Sequence, residues 1–286
     1  MTIKRSLYAL IFCIAFYGRA FASPPEKIVS LAPNVTEVLY ALGLGDKIVA
    51  VTNFSDYPPE ARLKPKIGGI INPSIEDILT IKPDVVVMDA GLNPDGLEGR
   101  LEKLGIKVIV FRAERIAQLP QAIRKLGVAL DVREKADKVA QKIQTGIRRI
   151  KSNAEKSSLY LRGRKAVFII WPDPLIVAGP GTPISDAINL LGWRNIASDA
   201  KTSYPRYSLE DIIIRSPDVI LIGTGHANMM EASKRLLKRL SMLDAVKKRR
   251  VYYVSDALYR IGPRTVQGIQ ELARYLNGEC KTRKEN

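Results

Sequence analysis

Two glutamates occupy the same place in two copies of one sequence unit. Ser74-Ile-Glu-Asp-Ile, continuing through Lys82-Pro-Asp84 into the apolar run Val85 to Met88, recurs as Ser208-Leu-Glu-Asp-Ile, continuing through Ser216-Pro-Asp218 into Val219 to Ile222. The register is identical over the whole unit. Each copy reads as an N-cap serine, a short amphipathic helix with acidic residues in its first turn, a Pro-Asp turn and a buried parallel strand. At about 100° per residue, Ile75, Ile78 and Leu79 share one face and leave Glu76 off it; Leu209, Ile212 and Ile213 do the same to Glu210. Two chemistries fit such carboxylates. Either they complement the free N–H groups and macrodipole of the helix start, or they form a matched pair, one per copy, that docks onto something basic.

A duplicated unit needs two scaffolds to carry it. Before Asp131 the pattern alternates strand and helix: Ile28 to Leu31, a helix from Asn34 to Leu42, Ile48 to Val51, the helix after Ser74, Val85 to Met88, a helix from Asp95 to Leu104, and Lys107 to Phe111. The alternation returns with Ala166 to Ile170, a helix from Ile184 to Leu191, the helix after Ser208, Val219 to Ile222, a helix from Met229 to Leu240, Val251 to Val254, and a closing helix from Thr265 to Leu276. Such alternation predicts α/β lobes with parallel sheets and helical crossovers. From Asp131 to about Lys156 the apolar residues Val132, Ala136, Val139, Ile143, Ile147, Ile150 and Ala154 recur at intervals of three and four with no proline, which predicts one long helix. Asp131 with Glu134 reads as its capping box. The expected organisation is a leader over 1–22, an N-terminal lobe over 23–130, a helical connector over 131–160, a C-terminal lobe over 161–278 and a basic tail over 279–286. A helical connector is stiffer than paired hinge strands, so the lobes are expected to open and close only slightly.

The first residues assign a compartment. Lys4 and Arg5, the short apolar core Leu7 to Tyr17 and the Ala20-Phe21-Ala22 cleavage pattern make a secretory signal peptide, implying an exported, periplasmic mature chain. Cys13 lies within the apolar core and lacks the small residues expected before a lipid-modified cysteine, so no lipid anchor is expected. Loss of the leader removes Lys4, Arg5 and Arg19, leaving 42 basic against 29 acidic residues, a net +13. That surplus is scattered over helix faces and short runs such as Lys247 to Arg250, without a nucleic-acid module, and the expected partners exclude nucleic acid. Only Cys280 remains in the mature chain, so no intramolecular disulfide can form. A single histidine, His226, argues against a zinc or manganese receptor.

Further motifs point to a family. The opening Ile28-Val-Ser-Leu-Ala-Pro-Asn-Val-Thr-Glu37, Thr52-Asn-Phe-Ser-Asp-Tyr-Pro-Pro59, Tyr204-Pro-Arg-Tyr-Ser208 and Ile261-Gly-Pro-Arg264, in an exported bilobal chain with a helical spine, resemble the periplasmic binding proteins for cobalamin, ferric siderophores and haem that serve ABC importers. Within that group the chain is most like the cobalamin-binding members. The resemblance covers essentially the whole mature chain and implies two similar Rossmann-like lobes on a helical backbone, the class III arrangement. It implies a monomer that binds a ligand between its lobes, with no cofactor of its own. It also implies that Glu76 and Glu210 pair with arginines of the membrane permease.

Ligand contacts are expected in the loops after the strands, since open parallel sheets present sites at their carboxyl ends. The candidates are Pro33, Asn34, Phe54, Tyr57, Ile71, Asn72, Trp171, Leu175, Tyr204, Tyr207, His226, Tyr259 and Arg260. A corrin is a broad, mostly apolar plate fringed with amides, and aromatic side chains suit it. Ile70 and Ile71 stand where a further aromatic is expected, and Asp89 to Gly91 supplies none, a departure that suits a different corrinoid or a siderophore. His226 is open to two readings, an axial ligand to cobalt or haem iron or a solvated loop residue. Tyr252, Tyr253 and Trp193 read as packing. No nucleophile elbow or cysteine–histidine pairing is present, and Gly179-Pro-Gly-Thr182 is only a turn, so an enzyme is disfavoured against a transport or sensing module.

Overall fold

The computed structural model describes residues 24–91, 96–156, 163–224 and 229–276. The first lobe contains β1 (Ile28–Ser30), α1 (Pro33–Ala41), β2 (Ile48–Val51), α2 (Ile75–Ile81), β3 (Val85–Asp89), α3 (Leu97–Lys103) and β4 (Val108–Phe111). Its strands form one parallel sheet in the order β2-β1-β3-β4. The helices α4 (Leu119–Ala129) and α5 (Arg133–Lys156) follow. The second lobe contains β5 (Lys165–Pro172), β6 (Leu175–Val177), α6 (Pro183–Leu190), β7 (Arg194–Asn195), α7 (Leu209–Arg215), β8 (Val219–Gly223), α8 (Met229–Arg239), α9 (Asp244–Lys247), β9 (Val251–Val254) and α10 (Thr265–Leu276). Its order is β6-β5-β8-β9, with β7 also on β5; β6 is antiparallel and the other pairs are parallel.

Local bonds explain the serines and aspartates of the repeated unit. Ser74 Oγ accepts from Asp77 N, and Ser208 Oγ from Asp211 N, each at 3.1 Å. Only the second copy closes the box, with the Asp211 carboxylate accepting from Ser208 N at 2.7 Å. Each helix stops at a left-handed residue before proline, Lys82 (φ 50°) and Ser216 (φ 43°). The next residue but one then staples two strands together. Asp84 accepts from the amides of Glu26 and Lys27 at 2.8 and 2.9 Å, and Asp218 from that of Lys165 at 2.8 Å. Beyond these aspartates, Val85 to Met88 and Val219 to Ile222 are buried on both faces, as central strands under two helical layers must be.

The long helix is present, with its start corrected. Asp131 has φ 56°, and α5 begins at Arg133 with Ala136 N donating to Val132 O at 3.0 Å, so the expected capping box of Asp131 and Glu134 does not form. Asp131 is instead the turn that folds α4 back on α5. The two helices touch at Gly127, where a Cβ would lie 2.1 Å from that of Ala136. The helix α4 escapes a periodicity reading because it opens on proline and carries a glycine at the contact that buries it. Along α5, Ala136, Ala140 and Ile143 enter the core of the first lobe, Ile150 enters that of the second, and Ile147 packs against both.

A second connection crosses between the lobes. In the segment from β9 to α10, Leu258 belongs to the core of lobe two and Ile261 to that of lobe one. With two crossings, a rigid-body hinge has no free edge. Ligand binding is therefore expected to leave the scattering profile nearly unchanged; a compaction typical of full domain closure on loading would show that neither crossing restrains the lobes.

Candidate functional site

The carboxyl ends of the strands meet at the seam between the lobes, and the residues there are held by polar contacts. In lobe one, a buried chain of hydroxyls joins the loop after β2 to α1: Ser30 Oγ to Thr36 Oγ1 at 2.8 Å, Thr36 Oγ1 to Ser55 Oγ at 3.0 Å, and Ser55 Oγ to Thr52 Oγ1 at 3.0 Å. Lys66 Nζ donates to the carbonyls of Ser55 and Ala61 at 3.0 and 3.1 Å. This framework holds the loop that carries Phe54, Asp56 and Tyr57, of which Asp56 and Tyr57 meet Arg260 and Arg264. Phe54 and Tyr57 are 50 and 41% exposed, and across the seam Tyr204 is 54% exposed.

An ion-pair network bridges the lobes. Arg264 grips Glu37 of α1 with two nitrogens, Nε to Oε2 at 2.8 Å and Nη2 to Oε1, and its Nη1 donates to Asp256 at 2.9 Å. Its guanidinium also lies 4.1 Å from the centroid of the Tyr57 ring. Arg260 bonds Asp56 of lobe one and lies 3.0 Å from Asp256. The Glu37 side chain is only 1% exposed. Burial alone would lower the Arg264 pKa, but its bonds with Glu37 and Asp256 win and raise it. Burial likewise acts to raise Asp56, and the Arg260 bond overrides it and holds this carboxyl below its usual value.

Asp89, the last residue of β3, differs from these acids. Its Oδ2 accepts from Asn34 Nδ2 at 2.7 Å and its Oδ1 from Gly91 N at 2.9 Å, both neutral donors. Burial pushes its pKa up against these two bonds. The pKa of the Tyr204 phenol of the other lobe is pushed up by partial desolvation and further by the negative charge of Asp89, although the residue as a whole stays open to solvent.

The expected contact residues separate into groups. Asn34, Tyr57, Tyr204 and Arg260 stand at the seam, and Phe54 is exposed on the same loop as Tyr57. Pro33 is the buried first residue of α1, and Leu175 is 8% exposed in the core of lobe two, which removes it from an open ligand surface. Tyr207 is drawn away as well: it packs on that core with Arg215 5.4 Å from its ring centroid. Tyr259 meets Phe168 edge-on at 6.2 Å, beside Gly223. Trp171 donates its indole N–H to Asp173 O at 2.7 Å and borders a cavity of about 330 Å³ with Met229, Glu231 and Arg235. Ile71, Asn72 and Glu76 line another, of about 380 Å³, on lobe one. Trp193 is core, and Tyr252 and Tyr253 lie in β9, as expected. His226 lies outside the described residues, as do the leader and the basic tail. Among the described residues no cluster of His, Cys, Asp or Glu is set to hold a metal.

Asp89 and Asp256 fall in the loops expected after the strands, whereas Glu37 and Arg264 are seam residues to which the reading from sequence gave no role. Arg264 stood inside a quoted motif without a role, and Glu37 lay on a helix, where only its partner reveals its function. Glu76 and Glu210 are both exposed in the first turns of α2 and α7. A crossover helix runs antiparallel to its strands, so both helix starts lie at the sheet edge that carries the cleft.

The Periplasmic binding protein family profile matches residues 28–258. An uncharacterized ABC transporter substrate-binding lipoprotein, YvrC of Bacillus subtilis, is 33% identical over 88% of this chain and 80% of its own length. Among solved structures, the periplasmic vitamin B12 binding protein BtuF of Vibrio cholerae superposes with a TM-score of 0.79 at 27% identity, covering 89% of this chain and 97% of that one. The periplasmic heme-binding protein RhuT from Roseiflexus sp. RS-1 gives 0.81 at 27% identity over 88% and 98%. Both lobes, the parallel sheets and the helical spine are thus those of class III binding proteins, and the function is binding for transport rather than catalysis. The chain belongs to the periplasmic binding protein family, as the substrate-binding component of an ABC importer for a small-molecule ligand.

Proposed function

We propose that this protein captures cobalamin or a close corrinoid between its lobes and hands it to an ABC permease that grips Glu76 and Glu210. The observation that supports the ligand class most is the exposed aromatic rim, Phe54 and Tyr57 from one lobe and Tyr204 from the other, each offering area at small entropic cost to a broad plate. The likeness to a vitamin B12 binding protein agrees with it. A haem or ferric siderophore ligand is the second reading, favoured by the equal likeness to a heme-binding protein. The mature chain acts as an exported monomer without a lipid anchor, released by cleavage after Ala22.

Titration of the purified protein with cobalamins, haem and ferric siderophores, followed by visible absorbance and Trp fluorescence, distinguishes these ligands. Cobalamin or a precursor is expected to bind one to one and to be recovered unaltered. Tyr204→Ala or Trp171→Ala is expected to weaken that binding by about 1–3 kcal/mol if each ring is a buried anchor in the complex. Tight binding of haem or a ferric chelate with none of any corrinoid overturns the ligand and leaves the family intact.

A further inference from the structure

The carboxylates of the interlobe network are matched to cations, and Asp89 stands outside that network. Glu37, Asp56 and Asp256 share the guanidiniums of Arg260 and Arg264, and Lys66 lies close enough to Asp56 to feel its charge. Among the described residues the donors to Asp89 are neutral, Asn34 and the Gly91 amide, and the like charge of Glu114 acts on it as well. Among the described residues no cation pairs with it. The internal repeat sharpens the contrast, because the residue at the equivalent end of β8 is Gly223. One lobe thus ends its central strand in a carboxylate and the other in no side chain at all.

A part-buried, unpaired acid costs stability unless something uses it. Among the described residues each Asp89 oxygen accepts one bond, and a carboxylate has about four acceptor sites, so these two bonds leave acceptor sites for donors arriving from the cleft. Tyr204, an exposed aromatic on the opposite wall, lies within reach of its field. A plate lying against that ring brings its periphery near Asp89. We propose that Asp89 selects the ligand by charge: it accepts hydrogen bonds from the amide N–H groups of a neutral, amide-fringed ring and repels rings fringed with carboxylates. This rests on the corrinoid reading for the identity of the ring, though not for the sign of the selection.

Matched pairs of ligands test it. Cobinamide carries amides where cobyrinic acid carries carboxylates, and haem dimethyl ester masks the two propionates of haem. Wild type is expected to favour the neutral member of whichever pair it binds by at least about tenfold, and Asp89→Asn to bring the ratio near one by improving binding of the acid. An unchanged ratio in Asp89→Asn overturns the assignment. Discrimination within the porphyrin pair alone overturns the corrinoid reading and sustains Asp89, whereas binding of neither pair overturns both.

Thermal unfolding supplies the control on folding. The raised folded pKa means that stability falls as pH rises from the ordinary carboxylate value through the raised one. Asp89→Asn is therefore expected to melt higher than wild type at neutral pH and to lose that gain below the ordinary carboxylate range. A lower melting temperature at neutral pH would make Asp89 a structural acid and overturn its role in selection.

Discussion

Arg264→Ala is expected to destabilise the protein by about 3–5 kcal/mol, because it strands the buried carboxylate of Glu37 without a counter-charge. The loss is greater than the pair's own net worth, since the desolvation of Glu37 remains after its partner has gone. Glu37→Ala should be costly for the same reason, as it leaves Arg264 with Asp256 alone. The double variant is then expected to be less harmful than the sum of the two, and a double-mutant cycle by denaturant unfolding measures the difference. A loss below about 1 kcal/mol for Arg264→Ala would place the pair among solvated surface contacts. The pair also joins the lobes, so the variant should scatter as a more open particle than wild type.

The second large effect concerns delivery. Replacing Glu76 and Glu210 together with alanine is expected to reduce permease association and uptake by an order of magnitude or more, because ion pairs desolvated on docking carry about 1.5–7 kcal/mol of coupling. Solution affinity for the ligand should stay within about twofold, since both side chains lie outside the aromatic rim. Folding should lose only the few tenths to about 1 kcal/mol of a first-turn carboxylate. Normal uptake by the double variant would reduce these residues to helix-start electrostatics, and loss of ligand in solution would move them into the pocket.

Much of this architecture was legible in the sequence because it is repetitive. The repeat of Ser, Glu, Asp, Pro and Asp located both central strands, and its serines and aspartates have local bonds that explain them. Periodicity over 131–156 gave α5, although Asp131 proved to be a left-handed turn residue and not a cap, a difference visible only in its φ. The hairpin strand β6 was hidden by the Pro-Asp-Pro run before it, and α4 by its proline and glycine. The interlobe acids and bases were least legible. Glu37 and Arg264 are 227 residues apart, and no pattern within either segment announces a partner at such a distance. For the same reason, helix and loop position do not reveal that Pro33 and Leu175 are buried or that Tyr207 lies beside Arg215.

The two crossings between the lobes give the molecule the character of a fixed gauge. If α5 and the segment from Leu258 to Ile261 hold the lobes at one separation, then Glu76 and Glu210 stand at nearly the same spacing in the empty and the filled state. A permease that grips both residues would then meet two species with almost identical grips, and empty protein would compete with cargo-bearing protein for the same receptor. Uptake should accordingly fall when the protein is produced in large excess over its ligand. Release, in turn, is expected to need a force applied from outside the protein rather than spontaneous spreading of the cleft.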